Sequence, residues 1–309
     1  MRDKVTILGV FVADTSYRAD RAPKMGETIM GNSFALGPGG KGSNQAVACA
    51  KAGGEAYFIS KLGKDPFADM ALATWSEAGV HPVVTQHGDN FTGAAYIFVE
   101  EASGNNAIII CPGVAGTISP ADVEAQAELI AGSAVFMTQL EQPLEAAQRA
   151  LEIARAGGAT TILNPAPAAE LSDDMLALCD YVTPNETETE ALTGLPVETV
   201  EEARAAADVL VGKGVGAVIV TLGEKGALYH DGAQSVLVPA FDAGPVVETT
   251  GAGDAFNGGF AAALANGNAP LDAVRFGCAT ASVSVTRPGT APSMPSLDEI
   301  NAVLAGDGL

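Results

Sequence analysis

The stretch Ala134–Asn164, AVFMTQLEQPLEAAQRALEIARAGGATTILN, decides the fold. Its apolar run at 134–140 reads as a strand, 143–157 as a helix, and 160–164 as a second strand. A strand returning through a helix to another strand gives a parallel pair. The same rhythm extends in both directions. A helix at 120–131 precedes it. A short helix at 170–178, a strand at 180–183, helices at 186–193 and 199–213 and a strand at 217–222 follow. Strands alternating with helices imply an α/β fold, a mostly parallel central sheet flanked by helices on both faces. Beyond it come a small β-section at 227–239, a strand or loop at 246–250, a glycine-led helix at 251–267, a helical stretch at 271–285 and a closing helix at 297–305.

Upstream, Val5–Val12 reads as one buried strand. Ser43 is a candidate cap for a helix that runs to Ala50 and stops at Gly53-Gly54. Residues 57–63 read as a strand and 67–79 as a helix. Two pieces break the rhythm. Residues 13–36 are turn-rich, and 92–112 reads as a hairpin turning at Ser103-Gly104-Asn105. Together they are expected to form a small β-sheet lid inserted in a single domain covering 1–309.

Composition narrows the function. The chain has 309 residues, 48% apolar and 17% charged, which excludes a disordered chain. A net charge of −21 argues against a nucleic-acid surface or a polybasic membrane anchor, since both partners are anionic. The apolar start is too short for a membrane span, and no small-residue cleavage site follows it. Cys49, Cys111, Cys179 and Cys278 are scattered, and His81, His87 and His230 have no metal-ligand spacing. The expectation is a soluble protein of a reducing, cytoplasmic compartment.

The sharpest local signal is ETTGAGDAFNGGF, 248–260. Gly251, Ala252 and Gly253 lead into a helix, so their backbone N–H groups and the helix dipole form an anion site. Asp254 lies in the first turn, where it either handles the proton of an attacking hydroxyl or merely caps the helix. Phe256 replaces the third glycine of a dinucleotide fingerprint, which removes an NAD-dependent oxidoreductase. The second signal is GPGGKGSN, 37–44, where Gly42 after Lys41 rules out a Walker A loop. Gly39-Gly40 can admit a small ligand to the backbone and Asn44 can bond hydroxyls, or the segment is an ordinary loop-to-helix connection. In TPNETETE, 183–190, Asn185 and Glu188 either hold hydrated Mg²⁺ and phosphates or cap a helix. TLGEKG, 221–226, is a glycine turn at a strand end, where parallel sheets bind ligands. Asp14 and Glu141 also follow apolar strands. With Asp254 on one sheet edge they suggest a hydroxyl-rich substrate.

These motifs, taken in order, resemble the ribokinase-like (phosphofructokinase-B) family of sugar and nucleoside kinases. The resemblance spans nearly the whole chain. It rests on VAD (12–14), GETIMGNSFALGPGGKGSNQAVA (26–48), TQLEQP (138–143), LNPAPA (163–168), TPNETE (183–188), VTLGEKG (220–226), TTGAGDAFNGGF (249–260) and VTRPGTAPSMP (285–295). GGKGSNQA, LNPAPA and RPGTAPSMP are most similar to the ribokinase branch.

The resemblance implies transfer of the ATP γ-phosphoryl group to the primary hydroxyl of a pentose, D-ribose first. The other sugars of the family, deoxyribose and fructose, and nucleosides are alternatives, and a non-catalytic sugar sensor is a further one. It implies Asp254 as catalytic base, with Gly251, Ala252 and Gly253 as the anion hole. Asp14, Gly40, Lys41, Asn44 and Glu141 fall at sugar positions. Asn185 and Glu188 match the Mg²⁺–phosphate motif, and Thr221, Gly223 and Gly226 the nucleotide loop. Glu248, Thr250, Ser284, Gly289 and Ser293 match a monovalent-cation site for K⁺. Two residues depart from the pattern: Val12 stands where ribokinases often carry Asn, and Glu248 where the cation site usually begins with Asp. In the 94–99 run apolar residues occupy both faces of a strand, so a homodimer through the lid is expected.

Overall fold

The computed structural model describes residues 3–306. Among the described residues thirteen strands lie in chain order: β1 Lys4–Leu8, β2 Val12–Ala19, β3 Ser33–Gly39, β4 Glu55–Gly63, β5 His81–His87, β6 Thr92–Glu100, β7 Asn106–Gly113, β8 Val135–Thr138, β9 Thr160–Leu163, β10 Tyr181–Val182, β11 Ala217–Thr221, β12 Ala227–His230 and β13 Ser235–Val238. Nine of them form one sheet in the order β13-β12-β11-β10-β9-β8-β1-β4-β5. The run from β5 to β11 is parallel throughout, and β12 and β13 are antiparallel. All parallel strands therefore end on the same edge.

Alternation along each strand explains why both faces are covered. Val5 and Ile7 of β1 pack in one apolar cluster, and Leu8 in the other. Ala217 and Ile219 of β11 join the first cluster, Val218 and Val220 the second. Period-two geometry sends neighbours to opposite faces, so an all-apolar strand needs helices on each side. On one side the helix Leu144–Gly157 buries Ala146, Ala147, Ala150, Leu151 and Ala154. On the other, Trp75, Phe58 and Phe260 are fully buried, each worth roughly 1.5–3 kcal/mol.

The other four strands make a second sheet, in the order β3-β2-β6-β7. They come from the two segments that broke the α/β rhythm. The expected single strand Val5–Val12 is in fact divided. β1 stops at Leu8, and β2 starts at Val12 in the smaller sheet. The apolar residues between them are buried because they carry the chain from one sheet to the other. Asp14 thus rides on β2 of the small sheet, and not at the end of a parallel strand.

The helix expected from Ser43 is Lys41–Lys51, and Ser43 does not cap it. Gly40, with φ of 87°, turns the chain into the helix, and Ser43 is buried within it, accepting the indole N–H of Trp75 at 2.8 Å. The strand β5, absent from the sequence reading, is a half-exposed edge strand, where Pro82 is tolerated.

Candidate active site

The site assembles where the parallel strands end. Glu141 follows β8, Asn164 follows β9, Thr183 and Asn185 follow β10, and Thr221 closes β11. Two helices meet there, Lys41–Lys51 and Ala252–Ala265. Both begin at a glycine with positive φ, Gly40 at 87° and Gly251 at 83°, and neither has a side-chain cap. A residue with a Cβ is strained there, so glycine is what lets each helix present open amides to the sheet edge. Where the two helices cross, a Cβ on Gly258 would lie 2.6 Å from the carbonyl oxygen of Gln45, so the contact requires glycine.

Asp254 is the centre. It is buried, and Asn44 Nδ2 donates to its Oδ2 at 3.0 Å while Gln45 Nε2 donates to its Oδ1 at 3.0 Å. Burial raises its pKa, and the nearby charge of Lys41 and the two amide donors oppose that rise. Asp14 is raised to about 6 by burial and by the Asp254 charge. Glu141 is raised to about 7 by burial, against the Lys41 charge and a hydrogen bond of 2.8 Å from Lys41 N–H to its Oε2. Asp14, Glu141 and Asp254, each destabilised as an anion by burial and the last two within reach of the Lys41 charge, form a poised acid–base cluster. Asn44 Oδ1 is buried without a partner among the described residues, an acceptor ready for a hydroxyl.

The N–H groups of Gly251, Gly253 and Asp254 meet no acceptor among the described residues. Ala252 differs from Gly251 and Gly253, the other two residues expected to form an anion hole: its N–H bonds Thr249 O at 3.1 Å. Gly251 packs on Thr290, whose hydroxyl donates to Pro38 O at 2.9 Å, tying this loop to the small sheet.

Asn185 and Glu188 form a reciprocal capping box. Asn185 Oδ1 accepts from Glu188 N at 2.8 Å, and Glu188 Oε2 accepts from Asn185 N at 2.9 Å. The capping alternative is therefore realised, and it uses one oxygen of each side chain. Glu188 Oε1 stays available to a hydrated cation, and the Asn185 amide nitrogen stays available as a donor to a phosphate oxygen. Glu188 is raised by burial, with Lys41 and Asp254 within electrostatic reach. Asn185 pairs with Thr221 across the strand ends, and Gly223 and Gly226, expected in the nucleotide loop, follow Thr221 in the chain.

Of the five residues expected at a cation site, Glu248 and Gly289 touch: Glu248 Oε2 accepts Gly289 N–H at 2.8 Å. Ser293 Oγ bonds Thr290 O at 2.8 Å, and Ser284 Oγ turns back onto Ala281 O at 2.9 Å. Among the described residues no group of three or more His, Cys, Asp or Glu could hold a metal by itself. A cavity of about 670 Å³ lined by Arg155, Asp180, Tyr181 and Tyr229 opens at the opposite edge of the sheet, where β9, β10 and β11 begin.

Sequence reasoning missed the polar floor of the site. Gln45 Nε2 also donates to Asn164 Oδ1 at 3.1 Å, Gln139 Nε2 donates to Gln45 Oε1 at 2.5 Å, and Thr183 Oγ1 donates to Asn257 Oδ1 at 2.6 Å. Gln139, Asn164 and Thr183 directly follow apolar strands, the same signal that picked out Glu141.

The sequence matches the pfkB family carbohydrate kinase profile over residues 2–297. The chain belongs to that family. This carbohydrate kinase is 38% identical to a ribokinase of Haemophilus influenzae, covering 97% of each chain. It is 39% identical to a deoxyribokinase of Salmonella typhi, covering 97% of this chain and 98% of that one. A solved structure of Arabidopsis thaliana ribokinase complexed with ribose and ATP superposes with a TM-score of 0.94 at 30% identity, covering 98% of this chain and 99% of that one. The expected fold and enzyme class hold: a phosphotransferase with an alcohol group as acceptor, on a ribokinase-like α/β fold. No helix among the described residues is long and apolar enough to cross a membrane.

Proposed function

We propose that this kinase transfers the γ-phosphoryl group of ATP to the primary hydroxyl of D-ribose, giving D-ribose 5-phosphate. One observation carries the proposal: the buried Asp254 carboxylate stands at a helix N-terminus with unfilled N–H groups, beside the Asp14 and Glu141 carboxylates. Asp254 accepts the proton of the sugar hydroxyl as its oxygen attacks the γ-phosphorus. The bond from that phosphorus to the β–γ bridging oxygen breaks, and ADP leaves with the electron pair. The open amides of Gly251 and Gly253 stabilise charge on the transferring group. Asp14, Asn44 and Glu141 orient the hydroxyls, and Gly40 and Lys41 close that side of the site. The small sheet serves as the lid over the sugar.

Mg²⁺, when bound with ATP, would offset phosphate charge: Glu188 keeps Oε1 outside the capping box for the hydrated cation, and the Asn185 amide nitrogen can donate to a phosphate oxygen. Thr221, Gly223 and Gly226 form the nucleotide loop. K⁺ is the proposed activator at Glu248, Thr250, Ser284, Gly289 and Ser293. The enzyme is read as a cytoplasmic homodimer that pairs through its lid, without nucleic-acid or membrane partners. Its described cysteines are all free thiols, as a reducing compartment maintains.

Val12 favours a second reading, 2-deoxyribose. It is buried in an apolar cluster and offers the sugar no hydrogen bond. An ADP-coupled assay with Mg²⁺ and a panel of D-ribose, 2-deoxy-D-ribose, D-fructose and adenosine decides. Ribose should give the highest kcat/KM. A preference for 2-deoxyribose would establish the second reading, and indifference to the whole panel would remove both.

A further inference from the structure

Gln45 is fully buried in the first turns of the helix Lys41–Lys51. Its two amide hydrogens are both committed, one to Asp254 Oδ1 at 3.0 Å and one to Asn164 Oδ1 at 3.1 Å. Its carbonyl oxygen accepts from Gln139 Nε2 at 2.5 Å. This arrangement has only one sense. Turning the amide over would set its oxygen against two acceptors and its nitrogen against a donor. Gln139 is itself confined, because its Oε1 occupies the place a Cβ on Gly9 or Gly42 would need. From Asn164 the network continues. Asn164 Nδ2 donates to Thr183 O at 3.0 Å, Thr183 Oγ1 to Asn257 Oδ1 at 2.6 Å, and Asn257 Nδ2 to Gly253 O at 2.8 Å. The chain of bonds thus closes on the residue before Asp254.

We propose that Gln45 is a positioning residue of the phosphoryl-transfer reaction, fixing the rotation of the Asp254 carboxylate and linking it to the strand ends through Asn164. The proposal rests on the kinase reading of Asp254 as the base. Gln45 need not touch sugar or nucleotide; it acts through the carboxylate. A donor removed from a buried carboxylate leaves the anion less stabilised, so protonation moves to higher pH. The other charged groups around Asp254 are Lys41, Asp14, Glu141 and Glu188, and none of them changes in the variants below.

The test is the kcat profile of Gln45→Met and Gln45→Glu from roughly pH 5 to 9, each also made in the Asp254→Asn background. In Gln45→Met, kcat should fall on the order of 10²-fold with the KM for ATP little changed, as a misplaced reacting group predicts. The acid limb of the profile should move to higher pH, and further in Gln45→Glu, where a second carboxylate faces the first. In the Asp254→Asn background Gln45→Met should add almost nothing. An acid limb that stays in place, or an equal loss in both backgrounds, would make Gln45 a core residue only. Should Gln45→Met not fold, Gln45→Glu keeps the shape and the acceptor for Gln139 and carries the same test. A wild-type protein that turns over no sugar overturns the kinase reading instead. The tie to Gln45 is then still read from the Asp254 titration by carboxyl ¹³C NMR, whose midpoint must rise in Gln45→Met.

Discussion

Asn44 and Asp254 lie 210 residues apart in the chain and are joined by a buried hydrogen bond of 3.0 Å. Each stands in the first turns of a helix that begins at a positive-φ glycine, and each helix aims at the end of the parallel sheet. This bond holds one carboxylate oxygen of the proposed base while Gln45 holds the other. The lone pairs left on those oxygens are the ones a sugar hydroxyl can reach.

Replacing Asp254 by Asn removes the proposed base and creates a conflict. Asn44 and Gln45 both present N–H groups, and the new side chain has only one acceptor oxygen. We expect kcat to fall by about 10²–10⁴-fold, with ATP binding by calorimetry retained. A variant that kept more than roughly a tenth of wild-type kcat would show Asp254 to be a structural anchor for Asn44 and Gln45 and not the base.

Much of this geometry was legible in the sequence because it follows from local rules. The strand-helix-strand rhythm at 134–164 set the sheet, and the helices 186–193 and 297–305 begin and end where the sequence reading put them. Acids after apolar runs and the glycine-led helix located the site. What was hidden depends on three-dimensional company. In Val5–Val12 the one local hint of a break is Gly9, and a single glycine does not reveal that the chain passes between two sheets. Ser43 has the composition of a cap, yet Gly40 starts the helix and Trp75 takes the serine hydroxyl. Gln45 reads as one polar residue in an alanine-rich helix. Only the fold brings Gln139, Asn164 and Asp254 onto it.

Glu141 links the site to stability. Its ordinary value is 4.5 and burial raises it to about 7, so the folded state binds this proton more tightly than the unfolded one. The stability gained is complete below about pH 4.5 and is lost as pH rises through about 7. Glu141→Gln has no charge to bury and still accepts from Lys41 N–H. Its Tm should therefore exceed wild type by a few degrees near pH 8, and the gap should close near pH 4.5. Calorimetric Tm values that track each other across this range would show that the Glu141 charge carries no net penalty.

The outer strand β7 presents Ile108, Ile109 and Ile110, exposed by 51%, 63% and 56%. Neighbours on a strand point to opposite faces, so both faces of this sheet edge are apolar and open. Tyr17, Phe34 and Tyr96 add an aromatic cluster, with ring centroids 5.0 and 5.5 Å apart. A second lid covering these groups accounts for them. Sedimentation should give twice the 31.1 kDa chain mass at micromolar concentration, and Ile109→Lys should shift the protein toward monomer. A wild-type monomer at that concentration would mean the exposed isoleucines serve something other than self-association.

Potassium should raise activity. Glu248 stands where the family's cation site usually begins with Asp, and its longer side chain reaches Gly289 N–H at 2.8 Å. That bond draws the carboxylate toward the 287–290 turn, and the Glu248 main-chain oxygen is the proposed ligand, which the substitution does not alter. Thr290 in the same turn packs on Gly251, so an ordered turn steadies the glycine that opens the anion site. A hard cation held by oxygens would neutralise local carboxylate charge and fix this loop. The rate in KCl should exceed that in a tetraalkylammonium salt at equal ionic strength. Equal rates in the two salts would show that the Glu248 side chain itself fills the cation's place, with its bond to Gly289 ordering the turn unaided.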